Sequence, residues 1–123
     1  MKRKHEDYVK DWVVNGLRCR VLAGPFKNYN GYVALTENHS CYQKEYYNID
    51  VDVHGGLTFG GQGNDNSLHF PDSKVYWVGF DTSHLSDYIE YDNDEHPEPN
   101  GIKWTKEMVA EETERLAIQL SKL

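Results

Sequence analysis

Val75-Tyr76-Trp77-Val78-Gly79-Phe80 is apolar on both parities. A strand with one solvated face alternates, whereas a run with apolar side chains on both sides reads as a strand covered on both. The run therefore predicts a central, covered strand, and the rest of the chain must supply its neighbours and its cover. The clearest cover lies at the C-terminal end. Val109, Thr113, Leu116, Leu120 and Leu123 recur at steps of three and four and form one apolar stripe. Thr105 can cap the start of that helix, and Glu107 suits the positive end of its dipole. A helix with such a stripe must bury it, most simply against one face of a sheet.

Further strands are legible upstream. Leu17-Arg18-Cys19-Arg20-Val21-Leu22-Ala23 alternates and is stopped by Gly24-Pro25. Gly31-Tyr32-Val33-Ala34-Leu35-Thr36 reads as its hairpin partner, with Asn28-Tyr29-Asn30-Gly31 supplying the turn. Ile49 to Val53 alternates cleanly and reads as a strand, with Leu57-Thr58-Phe59 pairing back after a glycine turn. Lys4 to Val14 mixes charges with Tyr8, Trp12 and Val13 and reads as a short helix or arm. His39 to Tyr47 suits a surface connection or a short helix, and the glycines and asparagines of Gly60 to Ser67 suit a flexible loop. Asp92 to Gly101 is acidic and broken by Pro97 and Pro99. The expectation is an α+β fold: a small, mainly antiparallel β-sheet packed against a C-terminal amphipathic helix, with short additional helices. It forms a single domain over residues 1–123, divided into an N-terminal arm or helix (1–16), a sheet region (17–91), an acidic loop (92–101) and a C-terminal helix (102–123).

A chain of 123 residues can hold one real core. Hydrophobic residues make up only 38%, but nine Tyr, four Phe and three Trp bring large buried areas with polar rims. No apolar run approaches the roughly 20 residues of a membrane span. The basic start, Met1-Lys2-Arg3-Lys4, has no apolar stretch behind it and is not expected to be a signal peptide. Cys19 and Cys41 are expected to stay reduced and buried, and without a close cysteine pair a cysteine-based zinc site is not expected. The net charge of −7 is uneven: residues 1–27 carry +4, 28–101 carry −11 and 102–123 are neutral. Such a middle section repels phosphate backbones, which argues against direct nucleic-acid binding and for a solvated surface or a basic partner.

Two strand ends gather titratable groups. In Asp50-Val51-Asp52-Val53-His54-Gly55-Gly56, strand parity puts Asp50, Asp52 and His54 on one face. Beyond Phe80, Asp81, His84 and Asp87 are three apart, which a helical turn would place on one side. Asp52, His54, Asp81, His84 and Asp87 are the candidate ligand-binding residues. Asp52, His54, His84 and Asp87 are the candidate metal ligands. In an enzyme, His54, His84 and Asp81 would carry catalysis. No cofactor is expected, although an Asp/His donor set admits a divalent metal. Each motif has an ordinary explanation too: the glycines can close a tight turn, and Asp81 or Ser83 can cap a helix. There is no Walker A loop, no GxSxG elbow and no HExxH. Tyr42, Tyr46 and Tyr47 form a loop cluster that reads as packing before it reads as a stacking platform.

Val51-Asp52-Val53-His54-Gly55-Gly56-Leu57-Thr58-Phe59, followed by Trp77-Val78-Gly79-Phe80-Asp81 with His84 and Asp87, resembles an uncharacterised family of small proteins from bacteriophages, mobile elements and some bacteria. The resemblance spans residues 19 to 120. It departs in the Asn/Asp loop at 92–100 and at Tyr76-Trp77, where two tryptophans are expected. It brings no established activity or catalytic residue. What it implies is a phage setting, in the host cytoplasm. The expected function is a non-catalytic binding protein that interferes with a host process such as antiviral defence. It would occupy a host protein complex through an acidic surface or sequester a nucleotide-like ligand; homo-oligomerisation stays open. The alternative is a metal- or His-dependent hydrolase acting on a phosphoester or nucleotide.

Overall fold

Asn15 and Gly16 both have positive φ, 51° and 83°. That pair is the requirement of a two-residue type I′ hairpin, and Asn-Gly meets it at least cost. The computed structural model describes residues 8–23, 28–62, 75–82 and 104–123. In it the turn joins β1 (Tyr8–Val14) to β2 (Leu17–Ala23), antiparallel, with Val14 opposite Leu17. The described part of the expected N-terminal arm or helix is therefore a strand. Its mixed charges are strand alternation: Lys10 and Trp12 share one face, Asp11 and Val13 the other. β-branched and aromatic residues suit a pleated, half-buried surface.

β2 pairs with β3 (Tyr29–Thr36), as the hairpin expectation required, but Tyr29 and Asn30 belong to the strand and not to the turn. The third pairing skips along the chain. β3 pairs with β5 (Val75–Phe80), and β5 also pairs with β4 (Phe59–Gln62). Among the described residues the sheet has five antiparallel strands in the order β1-β2-β3-β5-β4. β5 is thus interior, and every one of its residues is buried. Gly60 and Gly61, expected in a flexible loop, form the edge strand β4. Bare backbone there leaves room for the rings of Tyr76 and Phe59, which a side chain at either glycine would strike.

Parity sorts the sheet into two apolar faces. On one, Cys19, Val21, Val33, Leu35, Tyr76, Val78 and Phe80 form the main core. On the other, Leu22, Tyr32, Ala34, Val75 and Trp77 form a second cluster, with Phe59 packed against it. Large and small side chains alternate across this second face. Trp77 lies opposite Ala34 and Gly61, and Tyr32 lies opposite Gly79. Tyr32 meets Phe59 edge-on at 5.7 Å.

The helix α1 (Lys106–Leu120) crosses β1, β2 and β3 on the main-core face. Thr105 caps it by accepting from the Met108 N–H at 3.1 Å. Val109, Thr113, Leu116 and Leu120 are fully buried, as the stripe required. Burial of each of the three aliphatic side chains stabilises by about 1.5–3 kcal/mol. Leu123, counted in the stripe from sequence, lies beyond the helix end and is half exposed. Both thiols are buried and unbridged. Burial pushes the Cys19 thiol up to about 12, so it stays protonated and unreactive.

Candidate functional site

The β3–β4 connection covers the part of the main core that α1 leaves open. Cys41, Ile49 and Val53 are buried in that core, and Val51 and Leu57 pack against it. His39 anchors its start. The His39 Nε2–H donates to the carbonyl of Leu120 at 2.7 Å, and Nδ1 accepts from the Cys41 N–H at 2.9 Å. The two bonds select one neutral tautomer and close the helix C-terminus, where unpaired carbonyls need a donor. Tyr42 packs edge-on against Tyr76 at 6.2 Å, and Tyr46 against Tyr47 at 5.3 Å. Two of the three tyrosines are thus half-buried packing groups, while Tyr47 is largely exposed. Of the surface connection or short helix expected from His39 to Tyr47, the chain forms a connection of turns that ends in a 3₁₀ helix at Tyr46–Asn48.

Residues 49–53 are not a strand, which corrects the sequence reading. The alternation survives as burial: Ile49 and Val53 point inward, Asp50 and Asp52 outward. What replaces the missing ladder is the flank of α1. Gln119 accepts from the Asp52 N–H at 2.7 Å and donates to the Asp52 carbonyl at 2.8 Å, so one side-chain amide pairs with this backbone as a neighbouring strand would. Glu112 accepts from the His54 N–H at 2.7 Å. Arg115 grips Glu112 through Nε and Nη2, both at 2.8 Å, and reaches Asp52 at 3.3 Å. The Val53 carbonyl then accepts from the Gly56 N–H at 2.8 Å, with Gly55 and Gly56 at positive φ. The His-Gly-Gly motif is a tight turn. Its His54 ring lies against Trp104 at 4.4 Å between centroids.

The candidate residues thus fall on separate elements. Asp52 and His54 are brought together against α1, with Asp52 almost fully exposed. Asp81 follows β5, next to Thr82, which is buried in a polar cluster. The Thr82 hydroxyl donates to the Tyr29 carbonyl at 2.8 Å, and the Asn28 amide reaches Thr82 at 3.4 Å and Asn30 at 3.3 Å. His84 and Asp87 lie outside the described residues. Among the described residues, no group of three His, Cys, Asp or Glu side chains is arranged to hold a metal ion. Sequence reasoning missed Glu112, Arg115 and Gln119, and placed Trp104 only as packing between the last helix and the sheet. The first three fall at steps of three and four on one flank of α1, beside the apolar stripe, and that periodicity was the available signal.

The Arg115 side-chain bonds hold the Glu112 carboxyl below its ordinary value of 4.5, with burial opposing them and the His54 N–H assisting. A depressed carboxyl stabilises the fold fully above that ordinary value and loses the contribution as pH falls through the lowered one. Glu112→Gln keeps an acceptor for the His54 N–H but removes the charge. Because Arg115 is half exposed, the loss is expected to be about 1 kcal/mol near neutrality. Urea unfolding at several pH values should show the gap between wild type and variant closing below pH 4.5. A gap that is constant with pH contradicts the charge assignment.

On the opposite flank of α1, Lys10 of β1 and Lys106, Glu107, Ala110, Glu111 and Glu114 of the helix line a groove of about 390 Å³. Trp12 donates its indole N–H to Glu114 at 3.1 Å, and the Lys10 ammonium sits 4.4 Å over the Trp12 ring. Glu107 and Glu111 are exposed at one end of this arrangement. No helix among the described residues is long and apolar enough to cross a membrane. No family model matches the chain, and neither a curated protein nor a solved structure is found to be similar to it.

Proposed function

We propose that the chain is a non-catalytic binding protein, in a phage or mobile-element setting, that engages a basic segment of a host protein complex through the β1-facing flank of α1. The observation that carries this reading is the exposed pair Glu107 and Glu111, four residues apart on the rim of the groove. With Glu114 they set three carboxylates against Lys10 and Lys106 in the lining, and a basic partner complements that acidic excess. The Asp52 and His54 motif supports binding over turnover. Its backbone and carboxylate are engaged in fastening the β3–β4 connection to α1.

Affinity capture from bacterial host extract tests the reading. The Glu107→Lys, Glu111→Lys double variant is expected to lower recovery of the co-purifying protein about tenfold, with strong salt dependence in the wild type. His54→Ala is expected to leave recovery unchanged. Retention by the double variant, or loss in His54→Ala alone, moves the function away from this flank. A small molecule released from purified protein on denaturation would favour sequestration of a nucleotide-like ligand instead.

A further inference from the structure

The two flanks of α1 differ in one respect. On one, Gln119 and Glu112 hold an extended stretch of the chain's own backbone, residues 52–54. On the other, the groove beside β1 has an extended backbone along only one wall. β1 is the outermost strand of the sheet, and no strand pairs with its outer edge among the described residues.

Hairpin geometry fixes which groups that edge presents. With a two-residue turn at Asn15-Gly16, Val14 and Leu17 exchange both of their hydrogen bonds, and the pattern alternates from there. Lys10, Trp12 and Val14 therefore bond inward to β2. Asp11 and Val13 direct their N–H and C=O groups outward. The irregularity between Tyr8 and Lys10 ends the regular edge, leaving Lys10 to Val14. Val13 is 62% exposed. A strand laid along this edge would place every second side chain over the groove, where three carboxylates, Glu107, Glu111 and Glu114, outnumber the two ammonium groups of Lys10 and Lys106. The opposite edge strand, β4, has only four residues and contains two adjacent glycines.

We infer that β1 takes up an extended, lysine- or arginine-bearing segment of the protein partner as a sixth strand, its backbone bonded to Asp11 and Val13 and its alternate cationic side chains set against the carboxylates of α1. This mode of recognition combines backbone pairing for affinity with side-chain spacing for selectivity. The inference rests on the binding function proposed above and specifies its geometry.

The probe is a capped heptapeptide alternating valine and lysine, with a valine–glutamate peptide as control, read by amide hydrogen exchange on the whole chain. The lysine peptide is expected to slow exchange at Asp11 and Val13 about tenfold or more, and the glutamate peptide to leave both unchanged. Val13→Pro removes the outward N–H at an edge position where proline is tolerated. Both it and a chain N-methylated at Val13 should lose the protection at Asp11 while the remaining amides of the sheet stay protected. Glu107→Lys with Glu111→Lys should weaken binding about tenfold. No binding up to about 1 mM peptide overturns the inference. So does protection at Asp11 that survives in both Val13 variants. Slow exchange at Asp11 and Val13 without peptide, in a chain of doubled mass, would mean that a second copy fills the edge. If host-partner capture fails in the glutamate variants but persists in Val13→Pro, strand addition is wrong and the binding function stands. If capture persists in both, both fall.

Discussion

Gly79→Ala is expected to destabilise the fold by about 3 kcal/mol or more. A Cβ at Gly79 projects onto the second apolar face, where it meets the Tyr32 ring and lies 2.6 Å from the carbonyl oxygen of Gly31. Neither neighbour can yield cheaply. The Tyr32 ring is buried and held edge-on against Phe59, and the Gly31 carbonyl belongs to the β3–β5 ladder. Relief therefore requires parting the two central strands, which carry both cores. Gly16→Ala provides the contrast. Nothing lies within 4 Å of a Cβ there, but φ is 83°, so the penalty is backbone strain of about 1 kcal/mol. Chemical denaturation of the two variants separates the causes. Equal losses would mean that close approach at Gly79 is not what its glycine provides.

The same residue explains why the sheet was legible and its wiring was not. Val75 to Phe80 announced a doubly covered strand because both parities are apolar, and β5 is buried on both faces. The stripe of α1 announced one of the covers. What the pattern could not carry was the identity of the neighbours. β5 lies between β3 and β4, and β4 is written in glycine, a residue that reads locally as a loop. Its strand conformation is set by pairing with β5 and by the aromatic rings of Tyr76 and Phe59, both tertiary facts. The reverse error occurred at Ile49 to Val53. Period-two alternation there reports burial of every second residue, which an extended segment achieves equally well when Gln119 and Glu112 stand in for a strand. Alternation is evidence for an extended chain at an apolar surface, and only by default for a ladder. At Asn15-Gly16 the local signal was strong, but the mixed charges before it masked the strand that the turn implies.

The candidate site shows the same division. Sequence marks the Asp52 and His54 stretch as one where polar groups collect, and it offers the glycine turn as an ordinary explanation. That turn is present, and the side chains that engage the stretch come from residues 50 or more positions away. A motif read along the chain cannot distinguish carboxylates that await a ligand from carboxylates that await Arg115. The distinction belongs to the helix flank, whose periodicity groups its polar positions on one side without naming what they will touch.

Trp77→Ala is expected to cost about 3–5 kcal/mol, and more of that loss is tied to arginine than is usual for a buried tryptophan. The indole is 1% exposed and extends across Ala34 on one side and Gly61 on the other. Its ring is approached by Arg20 at 5.1 Å and Arg18 at 5.7 Å. Arg18 is exposed, but Arg20 is 4% exposed and pairs with Asp11 at 2.8 Å. A guanidinium that deep is tolerated where it stacks on an aromatic face and reaches a carboxylate; removing the face leaves the buried cation beside a cavity. Trp77→Phe should recover much of the loss, because a smaller ring still presents a π face. A double-mutant cycle of Trp77→Ala with Arg20→Met isolates the coupling, expected at about 1–2 kcal/mol, whereas the same cycle with exposed Arg18→Met should give about 0.5 kcal/mol or less. Urea unfolding of the two cycles supplies both numbers. Coupling within about 0.3 kcal/mol of zero for Arg20 would show that apolar area alone holds Trp77 in place. The carboxylate of Asp11 would then be what keeps Arg20 buried, and Asp11→Asn, not a change at Trp77, would be the substitution that releases it.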